Sequence, residues 1–212
     1  MSRFPTALIY LVLLAISARS GAQNIGLKPL IKDDEWTFLQ QSAKPGKPVV
    51  YNEIRLIAIS KKKNGDTVLG FARAVTNTGQ VIWQPMEPLP ASVCLRDFVG
   101  RSNLDLAESC KEGLTLGQEW KSGHDDEDVS ERIRFVVTGR ETIIVPAGQF
   151  DAIKIQGTGK RTSPIDSPVD VTVNYWFAPD AKAMARSISE YRSADGALLI
   201  TTSEELTAVS VK

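Results

Sequence analysis

ETIIVPAGQFDAIKIQ, residues 141–156, reads as strand, corner, strand. ETIIV and FDAIKI are rich in β-branched and aromatic residues. Between them, Pro146 fixes φ and suits the first inner position of a turn, while Gly148 supplies a positive φ. Phe150 restarts the apolar pattern. The stretch is therefore a β-hairpin corner rather than a small-residue loop shaped around a ligand, and the rest of the chain reads in the same terms.

Downstream, FDAIKIQGTGKRT, VDVTVNYWFAP, MARSISEYRS and LLITTSEELTAVS are further strands. Val171, Val173, Tyr175 and Phe177 alternate with Thr172, Asn174 and Trp176. Strict period two puts one set on a core and the other against solvent or a cavity. Asp195-Gly196 is a hairpin signal. Upstream lie ERIRFVVTGRETIIV, QEWKS, QVIWQ, TVLGFARAVTN, VVYNEIRLIAIS and EWTFLQQ, with turns expected at Thr78-Gly79 and Asn64-Gly65 and a linker at AKPGKP. PMEPLP, with three prolines, excludes a central strand, and the segment through CLRDFVGRSNLDLAESC holds a short helix candidate. No βαβ rhythm appears. The expected fold is mainly all-β: a curled antiparallel meander or open half-barrel with one short helical segment, a sandwich being the other arrangement of such strands.

Residues 1–22 are set apart from that domain. Arg3 precedes the apolar run Ala7 to Ile16, and Ser20-Gly21-Ala22 places small residues before Gln23. This is the layout of a secretory signal peptide cut near Ala22–Gln23. A membrane span needs about 20 apolar residues, and Ser17, Arg19 and Ser20 end the run early. The expectation is a periplasmic protein with a single domain over residues 23–212, not membrane-spanning once the signal is removed. Without Arg3 and Arg19, 23 basic groups face 25 acidic ones, so no basic face argues for nucleic acid.

Cys94 and Cys110 are the two cysteines. An even count in an oxidising compartment favours a disulfide, worth roughly 3 kcal/mol for a loop of this length. Two separate buried thiols are the alternative.

Motifs of catalysis are weak. His124, the single histidine, sits in GHDDEDVSE. That run lacks the spacing of a calcium loop, zinc would want more His or Cys, and a solvated hairpin loop explains it. A Ser-His-Asp arrangement has no G-x-S-x-G elbow beside it. GTGKRTS resembles a phosphate loop only in part, since Lys154 stands where the first glycine is required and Arg161 follows Lys160. Acidic residues are plentiful, but no spacing singles out a catalytic pair. Neither a metal nor a cofactor is expected.

The four tryptophans remain. Large aromatics at strand positions usually belong to a core. The functional alternative is an apolar groove on a curled sheet, with Trp36, Trp83, Trp120, Tyr175 and Trp176 as candidate ligand-binding residues. Trp176 lies opposite the Tyr175 face, so its strand carries bulky groups on both sides.

The corner also resembles a family of exported bacterial proteins, domain of unknown function 3108, in the group similar to the lipoprotein carriers LolA and LolB. The likeness rests on V-P-A-G-x-F-x-A (Val145, Pro146, Ala147, Gly148, Phe150, Ala152), W-[FY]-A-P-D (Trp176 to Asp180) and G-x-x-W (Gly117 to Trp120). It covers Leu114 to the C-terminus well and the N-terminal third loosely. It implies a curled antiparallel sheet and a periplasmic home, without an agreed activity. The Cys94–Cys110 segment is not part of that pattern.

The function expected from the sequence is non-enzymatic: binding of an apolar ligand such as a lipid or acyl chain, or of an envelope protein. A hydrolase of envelope material using carboxylates, and a structural interaction module, are the competing readings. A groove lined by aromatic side chains favours the first, converging carboxylates the second, and a filled core with a flat apolar edge the third.

Overall fold

The computed structural model describes residues 31–63, 66–77, 80–85, 114–125, 129–163 and 167–212. Side chains are described for 31–57, 114–121, 123, 125, 129–163 and 167–212. The signal segment, the turns at Asn64-Gly65 and Thr78-Gly79, the helix candidate, Cys94, Cys110 and the side chains of Trp83 and His124 lie outside the described residues.

Ten strands form one antiparallel sheet: β1 (Glu35–Ala43), β2 (Val50–Lys63), β3 (Asp66–Asn77), β4 (Gln80–Pro85), β5 (Glu119–Asp125), β6 (Ser130–Val145), β7 (Gly148–Thr162), β8 (Val169–Ala178), β9 (Ala183–Arg192) and β10 (Leu198–Ser210). The spatial order is β4-β3-β2-β1-β10-β9-β8-β7-β6-β5. The sheet is curled and open, as the alternation and turn signals imply. It is not one continuous meander, however. Two meanders, β1–β4 and β5–β10, are joined by pairing of the first and last strands, and β4 and β5 occupy opposite edges.

GTGKRT, residues 157–162, is the end of β7, with Ser163 just beyond it, and His124 and Asp125 extend β5 rather than sitting in a loop. Ser193–Ala197 is the expected hairpin, closed by Ser193 N–H donating to Ala197 O at 3.0 Å, with Gly196 at φ 86°.

Register gives the sheet two faces. The inner face carries Trp36 and Phe38 on β1, Ile54 and Leu56 on β2, and Leu206 on β10. It continues through Phe177, Tyr175, Val173 and Val171 on β8, Ile153, Ile155 and Gly157 on β7, and Val137, Phe135 and Ile133 on β6. Nearly all of these are buried. Leu114, just before β5, is buried with them.

The VPAGQF corner has a second role that its turn chemistry does not disclose. β6 and β7 pair from Ser130–Thr162 to Val145–Gly148, but Thr138 is an extra residue opposite the Ile155–Lys154 step. A bulge of this kind reverses which positions face the core. Below it, Ile143, Val145 and Ala152 are buried, whereas above it Ile133, Phe135, Val137 and Ile155 are. The hairpin end thus turns its other face inward and folds over the outer side of β8–β10. Ala147 N–H donates to Leu206 O at 3.0 Å, and the Arg186 guanidinium donates to Ile144 O at 2.9 Å. Gly148, at φ 137°, takes a backbone conformation that side chains disfavour.

The same end of the sheet is pinned by a buried ion pair. Asp34 Oδ2 accepts from Lys182 Nζ at 3.0 Å, with side-chain exposures of 0% and 3%. Ile31 N–H and Lys212 N–H also donate to this carboxylate, at 2.9 and 3.0 Å. Lys182 (φ 52°) closes the β8–β9 turn, and Trp36 Nε1–H donates to Ala181 O at 2.7 Å in that turn. Burying a charge is tolerable only when it is paired and hydrogen-bonded, and Asp34 meets both conditions while tying together both ends of the described chain.

Candidate functional site

The upper inner face holds an aromatic row. One line of register runs Trp120, Phe135, Gly157, Val173, Ser189, Thr202, Ser42, Val50, crossing from β5 to β2. Trp120 and Phe135 are direct partners on neighbouring strands, stacked with centroids 5.5 Å apart and planes 21° from parallel. Phe135 also stacks on Tyr175, at 5.9 Å and 21°. Those two residues are on β6 and β8, two strand spacings or roughly 9.6 Å apart. They meet because Gly157 on the intervening β7 has no side chain. A Cβ there would fall 2.6 Å from Phe135 Cε1, so the ring lies directly over the glycine. A glycine inside a strand often marks such a close approach.

Trp120 Nε1 is buried and finds no hydrogen-bond acceptor among the described residues. An unmet N–H of this kind costs about 1–3 kcal/mol.

Below the aromatic row is a polar one. Tyr175, Ser187, Glu204, Gln40 and Asn52 are successive partners across β8, β9, β10, β1 and β2. Glu204 is only 5% exposed. Gln40 Nε2–H donates to Glu204 Oε2 and Asn52 Nδ2–H to Gln40 Oε1, both at a long 3.5 Å. Toward the rim, the Arg161 guanidinium stands 5.9 Å from the Tyr191 ring centre. Glu131, on β6, is the other buried acid of the inner face among the described residues. Tracing register from Glu204 through Ser187, Tyr175 and Ile155 reaches Val137, six residues along β6 from Glu131. At about 3.3 Å per residue that is roughly 20 Å along the strand. Paired carboxylates of glycoside hydrolysis stand about 5–9.5 Å apart, so these two do not form such a pair. Among the described residues no group of three or more His, Cys, Asp and Glu side chains could hold a metal ion.

The tryptophans singled out from the sequence therefore separate. Trp36 is fully buried in the core and hydrogen-bonded to the β8–β9 turn. Trp120 and Tyr175 share the inner aromatic row. Trp176 lies on the outer face, under the folded-back hairpin end. Its Nε1–H donates to Glu141 Oε1, and Lys154 Nζ sits 5.3 Å from its ring centre. The Trp176 hydrogen bond, aided by Lys154, holds the Glu141 carboxyl below its ordinary range, against the opposing effect of desolvation. Trp83 pairs with Ala74 at the β3–β4 edge. Phe135, Gly157 and Glu204 were not singled out from the sequence. The glycine interrupting an apolar strand was the one available signal.

No family model matches the sequence, and no curated protein does, so the likeness to domain of unknown function 3108 stays one of short motifs. Solved structures give distant likenesses, each with a TM-score under 0.5. The chain is similar to a protein with a YmcC-like fold from Bacteroides fragilis (TM-score 0.47, 13% identity, covering 87% of this chain and 99% of that one). It is similar also to the hypothetical lipoprotein YmcC from Escherichia coli (0.40, 12%, 84% and 86%). A LolA superfamily protein from Nitrosomonas europaea matches at 0.30, with 9% identity over 87% and 88%. These likenesses assign no residue a role.

Proposed function

We propose that this is an exported, non-enzymatic binding protein that holds the apolar part of an amphiphile, such as an acyl chain, against the inner face of its open sheet. The observation that carries the reading is the stack Trp120–Phe135–Tyr175 bridging over Gly157. Trp120 and Tyr175 are half-buried and flank the buried Phe135 ring on a sheet that does not close, and apolar surface with a few polar groups beside it is where small apolar ligands bind. The polar row of Ser187, Glu204, Gln40 and Asn52 bounds that surface and orients a ligand's polar end away from the aromatic one. Residues 1–22, with the layout of a signal peptide, support export to the periplasm.

The test combines native mass spectrometry of protein isolated from the cell envelope with tryptophan fluorescence. Co-purifying lipid is expected, together with a change in emission on adding long-chain fatty acid that is lost in Trp120→Leu. Protein that is ligand-free on isolation and whose emission ignores fatty acid would overturn the reading.

A further inference from the structure

Among the described residues, the β1–β2 hairpin end is the longest uninterrupted exposed stretch. Residues 44–51, KPGKPVVY, are exposed without interruption. A strand on a packed sheet normally buries every second residue. Here Val49, Val50 and Tyr51 are 41%, 50% and 56% exposed, although Val50 and Tyr51 point to opposite faces. The end therefore projects past the packed part of the sheet.

Its turn is rigid. Lys47 N–H donates to Lys44 O at 3.0 Å, with Pro45 and Gly46 (φ 70°) at the corners, the residues that such a turn demands. Lys44 and Lys47 flank the corner, and the span from Gln41 to Asn52 contains no acid. The neighbouring hairpin end adds to the surface. Ala43 pairs with Thr201, which sets Leu199, an extra residue of β10, beside the turn, also exposed. Apolar side chains and a tyrosine at a tip, flanked by lysines whose charged heads stay in water, match a membrane interface. The rings and aliphatic chains enter the headgroup boundary and the lysines meet anionic lipid.

We propose that this rim, Lys44 to Tyr51 with Leu199, docks the protein on the surface of an anionic bilayer. The inference stands on exposure, charge and turn geometry, independently of ligand binding on the inner face.

Flotation of the full chain with vesicles tests it, comparing phosphatidylglycerol-containing with purely phosphatidylcholine vesicles. Wild type and variants are isolated identically from the cell envelope, as exported, so that the apolar run Ala7–Ile16 of the signal segment does not mask the rim. Binding should rise with the anionic fraction and fall with salt. Lys44→Gln and Lys47→Gln should each weaken it about fivefold, and Val49→Ser/Tyr51→Ser should weaken it on both vesicle types. All four positions are exposed, and circular dichroism of the variants should match wild type. Binding that is equal on both vesicle types, or unchanged in Val49→Ser/Tyr51→Ser, overturns the proposal. So does patch-dependent self-association without vesicle binding, which would assign the surface to a second copy. Fatty-acid titrations of the same variants should be unaltered, so that failure of the rim and failure of the inner-face site are told apart.

Discussion

Gly157→Ala asks whether the aromatic row depends on the absence of one side chain. The added Cβ would lie 2.6 Å from Phe135 Cε1, 2.7 Å from Cδ1 and 2.9 Å from Ile133 Cγ2. Carbon atoms rest about 3.5–4.0 Å apart, so the ring must retreat by about 1 Å. It has little freedom to do so, being buried and stacked on both Trp120 and Tyr175. Overpacking of this kind costs about 1–3 kcal/mol. Alanine also restricts the unfolded chain, which stabilises by about 0.4–1 kcal/mol. The clash is the larger effect, and a net loss of about 1–2 kcal/mol is expected. Guanidinium melts followed by tryptophan emission should show a lower midpoint at unchanged slope. A companion cycle with Phe135→Leu locates the cost. With the ring gone, Gly157→Ala should cost less, giving a coupling of at least about 0.5 kcal/mol. A Gly157→Ala protein that melts at or above the wild-type midpoint, or substitutions that simply add, would refute the argument.

Two further outcomes follow from the opposite end and the outer face. Lys182→Met leaves the buried Asp34 carboxylate without its cation, a loss of about 3–5 kcal/mol in urea melts. Asp34→Asn/Lys182→Met removes the orphaned charge and keeps an acceptor for one of the Ile31 and Lys212 amides, which donate to different oxygens of the carboxylate. It should recover part of the loss, and a Lys182→Met chain as stable as wild type would contradict the buried pair. Glu141 titrates below its ordinary 4.5 in the folded chain, chiefly through the Trp176 hydrogen bond. Its contribution is therefore present above the unfolded value and lost as pH falls through the lower folded one. A tryptophan emission change with a midpoint below about 4.5, absent in Trp176→Phe, is expected; a midpoint at or above that value would refute the assignment.

Strand content was legible because alternation and turn residues are local. EWTFLQQ, ERIRFVVTGRETIIV, VDVTVNYWFAP and LLITTSEELTAVS fall on β1, β6, β8 and β10, and the Pro146–Gly148 corner joins β6 to β7 with the positive φ that the glycine allows. The site was legible only in part. Trp120 and Tyr175 were named as candidates, yet nothing local distinguishes them from Trp36, which is sealed in the core, or Trp176, which faces outward. Alternation sorts residues into two sets but does not say which set is covered, since that depends on strands distant in the chain.

VPAGQF shows where that boundary lies. Its own residues dictate a hairpin corner, because the constraints on Pro146 and Gly148 act within a few bonds. That the corner folds back to bond β10 through Ala147 is a tertiary outcome. It requires the extra residue at Thr138, which reverses the buried face while leaving odd-numbered positions buried on both sides of the bulge. It also requires the first strand to pair with the last, so that β10 lies within reach. Both are settled by competition between long-range pairings for the same backbone groups, and no short stretch of sequence records the result of that competition.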